Sequence, residues 1–396
     1  MEDRLDKNVI GKKNLRRRGC HIQRIFILAI WITSILPLAL KSDEIPPPPA
    51  EAETVFAQAP PDWKNDKEVV FLNKNAGVTL AGTLSLPKGK GSFPALILIP
   101  GSGHYFRTIT FGPHNLFLFI TDNLTKAGFA VLRFDKRGNG SSTGNYDTAT
   151  TKDFEEDTLS AVKYLSNLPE IDSYKVGLIG HSEGGLIASI AAADSKQTAF
   201  IVLMAGPGIS PEKRFTLQAV RIAQAKDSSA NVIIAIKNLA SEVYPVIKND
   251  KNNNSAKLKL DGFFDKELSK LNEREKDQLK GALGDFETLK DHLLTPWYRY
   301  ILVLEPEPIL KKVKCPVLAL DGEKDLQEEC QKNLNAIGDM LKQGGNPDYT
   351  LKAFPGLNHM FQHCKTGLME EVPQIQETMA PEAMQFMVDW IEKHTR

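Results

Sequence analysis

The sequence has no net charge and no internal repeat, and each absence excludes a class of protein. Basic and acidic residues number 49 each, so the formal charge is zero. Nine basic and five acidic residues give residues 1–44 a net charge of +4, which leaves −4 for the rest of the chain. A mildly acidic body argues against nucleic acid as the main partner. Because no segment recurs at a spacing of about 20–50 residues, the chain is not a solenoid.

The N-terminal segment, residues 1–44, is predicted to direct the protein out of the cytoplasm. Residues 1–24 contain eight basic residues, and residues 25–40 form a run of 16 residues without a charge. A basic flank followed by a hydrophobic run is the order of a signal peptide. We predict a periplasmic or secreted protein. An uncleaved membrane anchor through residues 25–40 is the alternative, although 16 residues are slightly short for a span.

The rest of the chain is predicted to be a linker followed by one large domain. Four consecutive prolines indicate a stiff linker over residues 45–62. In residues 63–396, apolar strand patterns such as "FPALILIP" and "FAVLRFD" alternate with helix patterns. This alternation is typical of an α/β fold with a mostly parallel central sheet flanked by helices.

A helical lid or cap is predicted as an insertion in this domain. The strand–helix alternation stops over about residues 210–300, where the sequence is helical and polar. Within it, "KNDKNNNS" at residues 248–255 is predicted to be a loop.

Ser182 lies in the sequence "GHSEG", between a predicted buried strand and a helix of small residues. Gly180 and Gly184 stand two positions away on either side. A tight turn of this kind, a nucleophile elbow, exposes the serine hydroxyl above the carboxyl edge of the sheet and points the helix N-terminus at any anion formed there. The motif alone is weak evidence, but its place between strand and helix favours a nucleophile over a glycine-rich turn without a chemical role.

A serine nucleophile needs a histidine base and a carboxylate that orients it. In folds of this class the acid and the base follow the serine in that order along the chain. Asp325 lies in the loop after one late strand, and His359 follows the next strand. We therefore predict Ser182, Asp325 and His359 as the catalytic residues.

Alternatives stay open for the acid and the base. Asp321, at the strand end, is the second candidate for the acid, and His363 is the second candidate for the base. His181 is expected to pack or form a hydrogen bond at the elbow, and His104 and His114 lie nearer the loop after the first apolar strand.

Two backbone N–H groups are predicted to bind the oxyanion of the tetrahedral intermediate. One belongs to Glu183, directly after the nucleophile. The other belongs to Ser102, in the loop after "ALILIP", with Gly103 as its neighbour. The alternative for this loop is a flexible turn at a strand end.

With these residues in place, the sequence resembles the α/β-hydrolase superfamily and, more narrowly, the bacterial EstD-type carboxylesterases. The resemblance covers about residues 69–390. It rests on the segments "LILIPGSG", "AVLRFDKRGNGSSTGNY", "TTKDFEEDTLSAVKYL", "GLIGHSEGG", "TPWYRYIL", "KCPVLALDGEKDLQ" and "FPGLNHMFQ". It implies the α/β-hydrolase fold and an esterase without metal or organic cofactor, often acting on short acyl chains.

The resemblance also implies roles for individual residues. It assigns the triad to Ser182, Asp325 and His359, and it indicates that Trp297 and Tyr298 line the acyl pocket. The segment "DKRGNGSSTG" at residues 135–144 is interpreted as structural or as a rim of the pocket. The stretch "HYFRTITFG" after Gly103 departs from the family, because it is aromatic and basic where such enzymes tend to be polar and acidic. That departure leaves the substrate open.

Cys330 and Cys364 each stand five residues after a predicted triad member. If Asp325 and His359 meet, the segments that follow them are expected to be neighbours. In an oxidising compartment these two cysteines would then form a disulfide. Two free thiols are the alternative.

Taken together, the sequence predicts an exported serine hydrolase that cleaves small carboxylic esters with short to medium acyl chains through an acyl-enzyme. A thioesterase or peptidase with the same triad is the first alternative. A non-catalytic binding protein with the same fold is the second.

Overall fold

The computed structural model describes residues 64–395, so the predicted signal or anchor segment and the linker lie outside the described residues. Ten strands occur in this part of the chain. In order they are β1 (Lys64–Asn73), β2 (Val78–Pro87), β3 (Phe93–Ile99), β4 (Thr110–Phe111), β5 (His114–Asn115), β6 (Ala130–Phe134), β7 (Ile171–His181), β8 (Ile201–Met204), β9 (Val317–Gly322) and β10 (Tyr349–Phe354). β4 and β5 pair only with each other, and the other eight form one sheet.

The large sheet has the order β1-β2-β6-β3-β7-β8-β9-β10. β1 and β2 pair antiparallel, as do β2 and β6, and every pair from β6 to β10 is parallel. The pairings His181 with Met204, and Met204 with Leu320, align the carboxyl ends of β7, β8 and β9. The loops that follow these strands therefore meet at one edge of the sheet.

Helices cover both faces of the sheet. They are α1 (Leu116–Lys126), α2 (Thr151–Ser166), α3 (Glu183–Asp194), α4 (Pro211–Ala225), α5 (Ala230–Asn249), α6 (Asn253–Leu268), α7 (Glu273–Leu283), α8 (Phe286–Leu293), α9 (Pro296–Ile301), α10 (Pro306–Leu310), α11 (Cys330–Gln343) and α12 (Pro381–Thr395), with a 3₁₀ turn at Met369–Gln374. Along β3, Leu96 and Leu98 pack with α1 and α12, whereas Ile97 and Ile99 pack with α2 and α3. Both faces of the parallel strands are thus buried, which explains their continuous apolar sequences.

The chain between β8 and β9 is helical, and α4 to α9 form a cap on the sheet. α5 is long and apolar enough to cross a membrane by length and composition, but its Ala235 and Leu239 are buried within the cap. The prediction of a loop over the whole of residues 248–255 was wrong. α5 extends to Asn249, and α6 begins at Asn253 because the Asn252 side chain caps it, accepting the N–H of Ser255 at 3.0 Å.

Candidate active site

Ser182 occupies the turn between β7 and α3. Its backbone is strained, with φ 56° and ψ −124°. The turn also requires the glycines, because a Cβ at Gly180 would lie 2.0 Å from the carbonyl oxygen of Gly184, and one at Gly184 would lie 2.1 Å from that of Ile99. The sequence therefore folds into a turn that only small neighbours permit, and Ser182 lines a cavity beneath the cap.

Asp325 and His359 meet at the same edge of the sheet. Asp325 follows β9, His359 follows β10, and both are fully buried. Asp325 Oδ2 lies 2.5 Å from His359 Nδ1, and Asp325 Oδ1 accepts the backbone N–H groups of Gln327 at 2.7 Å and Glu328 at 3.0 Å. Burial opposes the charge, but the neighbouring His359 and these N–H groups hold the pKa of Asp325 below its ordinary value. Asp325 is therefore a carboxylate.

His181 connects the histidine loop to the nucleophile turn. Its ring centroid lies 4.7 Å from that of His359, and its Nε2 lies 3.0 Å from the His359 backbone oxygen. Burial, with a smaller contribution from His359, lowers the pKa of His181 to about 3. The neutral ring therefore donates its Nε2–H to that carbonyl, which holds His359 beside the residue that precedes Ser182.

Asp321, the alternative acid, has a different environment from Asp325. Its Oδ1 accepts the backbone N–H of Gly322 at 2.8 Å, which stabilises the end of β9. Burial, together with the charges of Asp325 and Glu328, raises the pKa of Asp321 well above its ordinary value. The neutral form of Asp321 is therefore favoured, whereas the carboxylate in contact with His359 belongs to Asp325.

The other candidate histidines have partners elsewhere. The ring nitrogens of His363 are exposed and lie near Glu377 (2.8 Å) and Glu382 (3.0 Å). The His104 ring packs on Tyr146, and His114 lies 3.1 Å from the carbonyl oxygen of Val372. These contacts place all three in roles other than that of a base for Ser182.

Within residues 64–395, neither the N–H of Ser102 nor that of Glu183 donates to a backbone acceptor outside its own helix or strand. The Ser102 loop packs against the nucleophile, because a Cβ at Gly101 would lie 3.1 Å from Ser182 Cβ. The N–H of Gly103 donates to Tyr146 Oη at 2.9 Å and is therefore occupied. This arrangement favours Ser102 over its neighbour as an oxyanion donor.

A buried ion pair lies under these donors, and the sequence analysis missed it. Lys136 Nζ donates to the carbonyl oxygen of Gly101 at 2.6 Å and lies 3.7 Å from Glu183 Oε2. The other oxygen of Glu183 accepts hydrogen bonds from Thr151 Oγ1 at 2.8 Å and Trp297 Nε1 at 2.7 Å. Burial lowers the pKa of Lys136, and Glu183 opposes that shift. One pair thus fixes the Gly101–Ser102 loop relative to the nucleophile turn. The only sequence signal was a lysine directly after an apolar strand.

The cavity beneath the cap contains about 1070 Å³ of empty space, including its open mouth. Ser182 and Ser102 lie on its wall together with Trp297 and Tyr298. Most of the remaining lining is apolar and comes from α4 to α8, as in Phe215, Leu239, Val243, Phe264, Leu283 and Leu289. The arrangement places the Ser182 hydroxyl on the wall of a cavity suited to a ligand whose larger part is apolar.

The disulfide predicted between Cys330 and Cys364 is wrong in this structure, where both are free thiols. Cys330 begins α11 and packs in the cluster on one face of the sheet, whereas Phe361, shortly before Cys364, packs in the cluster on the other face. Cys364 Sγ lies 3.5 Å from the carbonyl oxygen of Gly356. The backbone at Cys364 still contacts Lys324, whose Nζ donates to the Cys364 carbonyl oxygen at 2.9 Å, but the side chains of Cys330 and Cys364 have different surroundings.

Comparison with known proteins agrees with this fold. The sequence profile described as "Alpha/beta hydrolase family" matches residues 96–365. Esterase EstD of Thermotoga maritima is 30% identical over 163 residues, which are 40% of this chain and 39% of EstD. The mitochondrial palmitoyl-protein thioesterase ABHD10 of Homo sapiens is 34% identical over 109 residues, which are 28% of this chain and 32% of that protein. The matches thus span less than half of either relative.

A solved structure gives the same architecture. The α/β hydrolase GrgF from Penicillium sp. sh18 superposes with a TM-score of 0.50 at 18% identity, covering 84% of this chain and 99% of that one. Together with the family profile, this confirms the predicted fold class, and the EstD match confirms the predicted resemblance.

Proposed function

This chain belongs to the α/β hydrolase family, and we propose that it is a serine esterase in which Ser182, His359 and Asp325 carry out the reaction. One observation carries the proposal: a buried Asp325–His359 pair, 2.5 Å apart, is joined through His181 to the strained turn that presents Ser182. The esterase activity named for EstD agrees with it.

In the proposed acylation step, Asp325 fixes the tautomer of His359. Because Nδ1–H is directed at the carboxylate, Nε2 is the basic nitrogen. His359 takes the proton of Ser182 as Oγ forms a bond to the ester carbonyl carbon, and the carbonyl oxygen becomes the oxyanion. The N–H groups of Ser102 and Glu183 stabilise that charge.

The intermediate then collapses, and the bond to the alcohol oxygen breaks. His359 gives its proton to the departing alcohol and leaves the acyl group on Ser182. Water, deprotonated by His359, attacks the acyl carbonyl carbon. The bond to Ser182 Oγ then breaks, Oγ takes the proton back from His359, and the carboxylic acid is released. The sequence of steps needs no group beyond those of the chain and water.

We propose esters with short to medium acyl chains as substrates, because the cavity is mainly apolar and opens at one end. A thioesterase is the second candidate. It is favoured by the similarity to a palmitoyl-protein thioesterase over 28% of the chain, and the same three residues would cleave a thioester.

The proposal is tested with a fluorophosphonate probe and with 4-nitrophenyl esters of increasing chain length. We expect the folded protein to be labelled and to hydrolyse the esters, with both properties lost in Ser182→Ala. Matched oxygen and sulfur esters of one acyl group separate the esterase from the thioesterase. Folded wild-type protein that neither reacts with the probe nor hydrolyses any ester would instead support the non-catalytic binding protein.

We also propose that the protein is exported, on the basis of the basic and hydrophobic order of residues 1–44. Fractionation of expressing cells, followed by N-terminal sequencing of the mature chain, tests this proposal. Full-length protein in the membrane would indicate the uncleaved anchor, and full-length protein in the cytoplasm would contradict export.

A further inference from the structure

Three of the polar side chains on the wall of the cavity that contains Ser182 lie where α4 of the cap meets the loop after β9, and we call these three the polar subsite. Arg214 comes from α4 of the cap, and Gln327 and Glu328 come from the loop after β9. Their exposed fractions are 7% for Arg214, 7% for Gln327 and 2% for Glu328. The subsite therefore combines a cap residue with two residues next to Asp325.

Each member of the polar subsite has a buried polar atom without a hydrogen-bond partner in the described chain. These atoms are Arg214 Nε, Gln327 Nε2 and Glu328 Oε2. Arg214 Nε is 3.4 Å from Glu328 Oε1, an ion pair longer than a good hydrogen bond. Buried polar atoms are nearly always paired in proteins, so three orphans on one cavity wall indicate a ligand contact.

Backbone groups of the same loop support Asp325 without using the Gln327 and Glu328 side chains. The N–H groups of Gln327 and Glu328 donate to Asp325 Oδ1, and the Glu328 carbonyl accepts from Arg221 Nη1 at 2.9 Å. These three main-chain contacts help to hold the loop. The Gln327 and Glu328 side chains are left to contact the contents of the cavity.

The chemistry of these atoms without partners limits the kinds of group that the polar subsite can bind. Arg214 and Gln327 offer N–H donors, and Glu328 offers a carboxyl oxygen. An anionic group would face the carboxyls of Glu328 and the adjacent Asp325, and a cationic group would face Arg214. A neutral group that both accepts and donates hydrogen bonds avoids both conflicts.

We propose that the polar subsite binds a neutral amide or hydroxyl group on the substrate, so that the preferred esters carry such a group as well as an apolar part. This inference rests on the proposed esterase function. It adds the substrate class, which the EstD-type resemblance left open.

The test uses esters matched in length. On the acyl side, 4-nitrophenyl N-acetyl-β-alaninate is compared with 4-nitrophenyl hexanoate and with 4-nitrophenyl hydrogen adipate. On the alcohol side, 2-acetamidoethyl hexanoate is compared with pentyl hexanoate. We expect kcat/KM, corrected for uncatalysed reactivity, to favour the amide ester over its alkyl match by about tenfold or more on at least one side, as expected for one or two added hydrogen bonds.

The variants Gln327→Leu and Arg214→Met should reduce the amide-to-alkyl ratio by about tenfold. The ratio cancels any general loss of activity, because both esters are measured on the same variant. Lys213→Leu, at an exposed residue of the same helix, and Gln331→Leu, at an exposed residue of α11, are the matched controls and should leave the ratio unchanged. If Arg214→Met does not fold, Arg214→Lys and Gln327→Leu still measure the ratio.

Equal or better cleavage of the alkyl esters on both sides would overturn the inference, as would a ratio that the variants do not change. A preference for the adipate ester would also overturn it, because the ligand group would then be anionic. None of these results contradicts the esterase proposal. That proposal fails only if none of the esters is hydrolysed and Ser182 is not labelled.

Discussion

At the carboxyl edge of the sheet, Asp325, Lys136 and Glu183 each form a hydrogen bond of 2.5 to 2.7 Å with another group of the protein, although Glu183 Oε2 and Asp321 Oδ2 have none in the described chain. Beneath the cap, by contrast, the wall is mainly apolar, and Arg214 Nε, Gln327 Nε2 and Glu328 Oε2 have no hydrogen-bond partner among residues 64–395. Hydrogen-bonded groups are held in one geometry, as a reaction requires, whereas polar groups without a hydrogen bond are free to contact a ligand. The difference supports the proposals that the sheet edge carries out the reaction and that the cap selects the substrate.

The largest effect is expected at the nucleophile. Ser182→Ala should lower kcat by about 10³- to 10⁶-fold, the range for loss of a triad serine, with the far-UV circular dichroism unchanged. Ser189→Ala is the matched control, because Ser189 is a buried serine of the same helix whose hydroxyl bonds only to the Gly185 carbonyl. Full activity in Ser182→Ala would show that the groups at the sheet edge do not carry out the reaction.

A matched pair of substitutions tests which carboxyl serves His359. Asp325→Asn should lower kcat by about 10³- to 10⁴-fold, because the imidazole loses the carboxylate that orients it. Asp321→Asn should lower kcat by less than about tenfold, because the raised pKa of Asp321 favours its neutral form, which an amide resembles. Steady-state kinetics on both variants measure the difference, and the reverse order would make Asp321 the acid.

Removal of the buried Lys136 cation tests whether the Lys136–Glu183 pair positions the oxyanion donors. Lys136→Met should lower kcat by about 10- to 100-fold, less than the loss of a donor itself. It should also destabilise the fold by about 3 kcal/mol, because the Glu183 carboxylate is left buried without its counter-charge. The double variant Lys136→Met/Glu183→Gln should regain much of the stability in urea unfolding but not the activity. Recovery of both would show that the ion pair acts only on folding.

The carboxyl of Glu328 is expected to make the stability of the fold depend on pH. Burial raises the pKa of Glu328 to about 7 from 4.5, so the folded state binds the proton more tightly than the unfolded state. This group therefore stabilises the fold below pH 4.5 and loses that contribution as the pH rises to 7. Compared with the wild type, Glu328→Gln should gain up to about 3 kcal/mol of unfolding free energy between pH 4.5 and 7.5. Parallel curves for the two proteins would show that burial does not raise the pKa of Glu328.

The smallest effect is expected at the cysteines. Cys330 and Cys364 are free, and burial raises the pKa of both thiols. A reductant should therefore change Tm by less than about 1 °C, since no loop closure is lost. Differential scanning fluorimetry with and without reductant measures this change. A fall in Tm of several degrees would indicate that Cys330 and Cys364 do form a disulfide.

Much of the sheet edge was predictable because its signals are local or topological. The glycines around Ser182 report a turn that larger residues cannot form. The positions of Asp325 and His359 after successive strands follow from parallel pairing, which brings strand ends together. The position of both residues at one edge of the sheet therefore follows from the sequence alone.

Contacts that depend on three-dimensional packing were not predictable. The Lys136–Glu183 pair joins the end of β6 to the start of α3, and Trp297 reaches it from the cap. No spacing of residues along the chain predicts that these three side chains are in contact. The cysteine prediction failed for a related reason, because equal offsets from two contacting residues do not give the directions in which the chain leaves them.

The hydrogen bond from Trp297 to Glu183 has a consequence for how a substrate enters. It ties α9, the last helix of the cap, to the nucleophile turn at 2.7 Å. If α9 moved away from the sheet, the buried Glu183 side chain would lose this donor, so the hydrogen bond favours a fixed position of α9 beside Ser182. A substrate would therefore enter the cavity past the earlier helices of the cap, with α9 as its fixed wall.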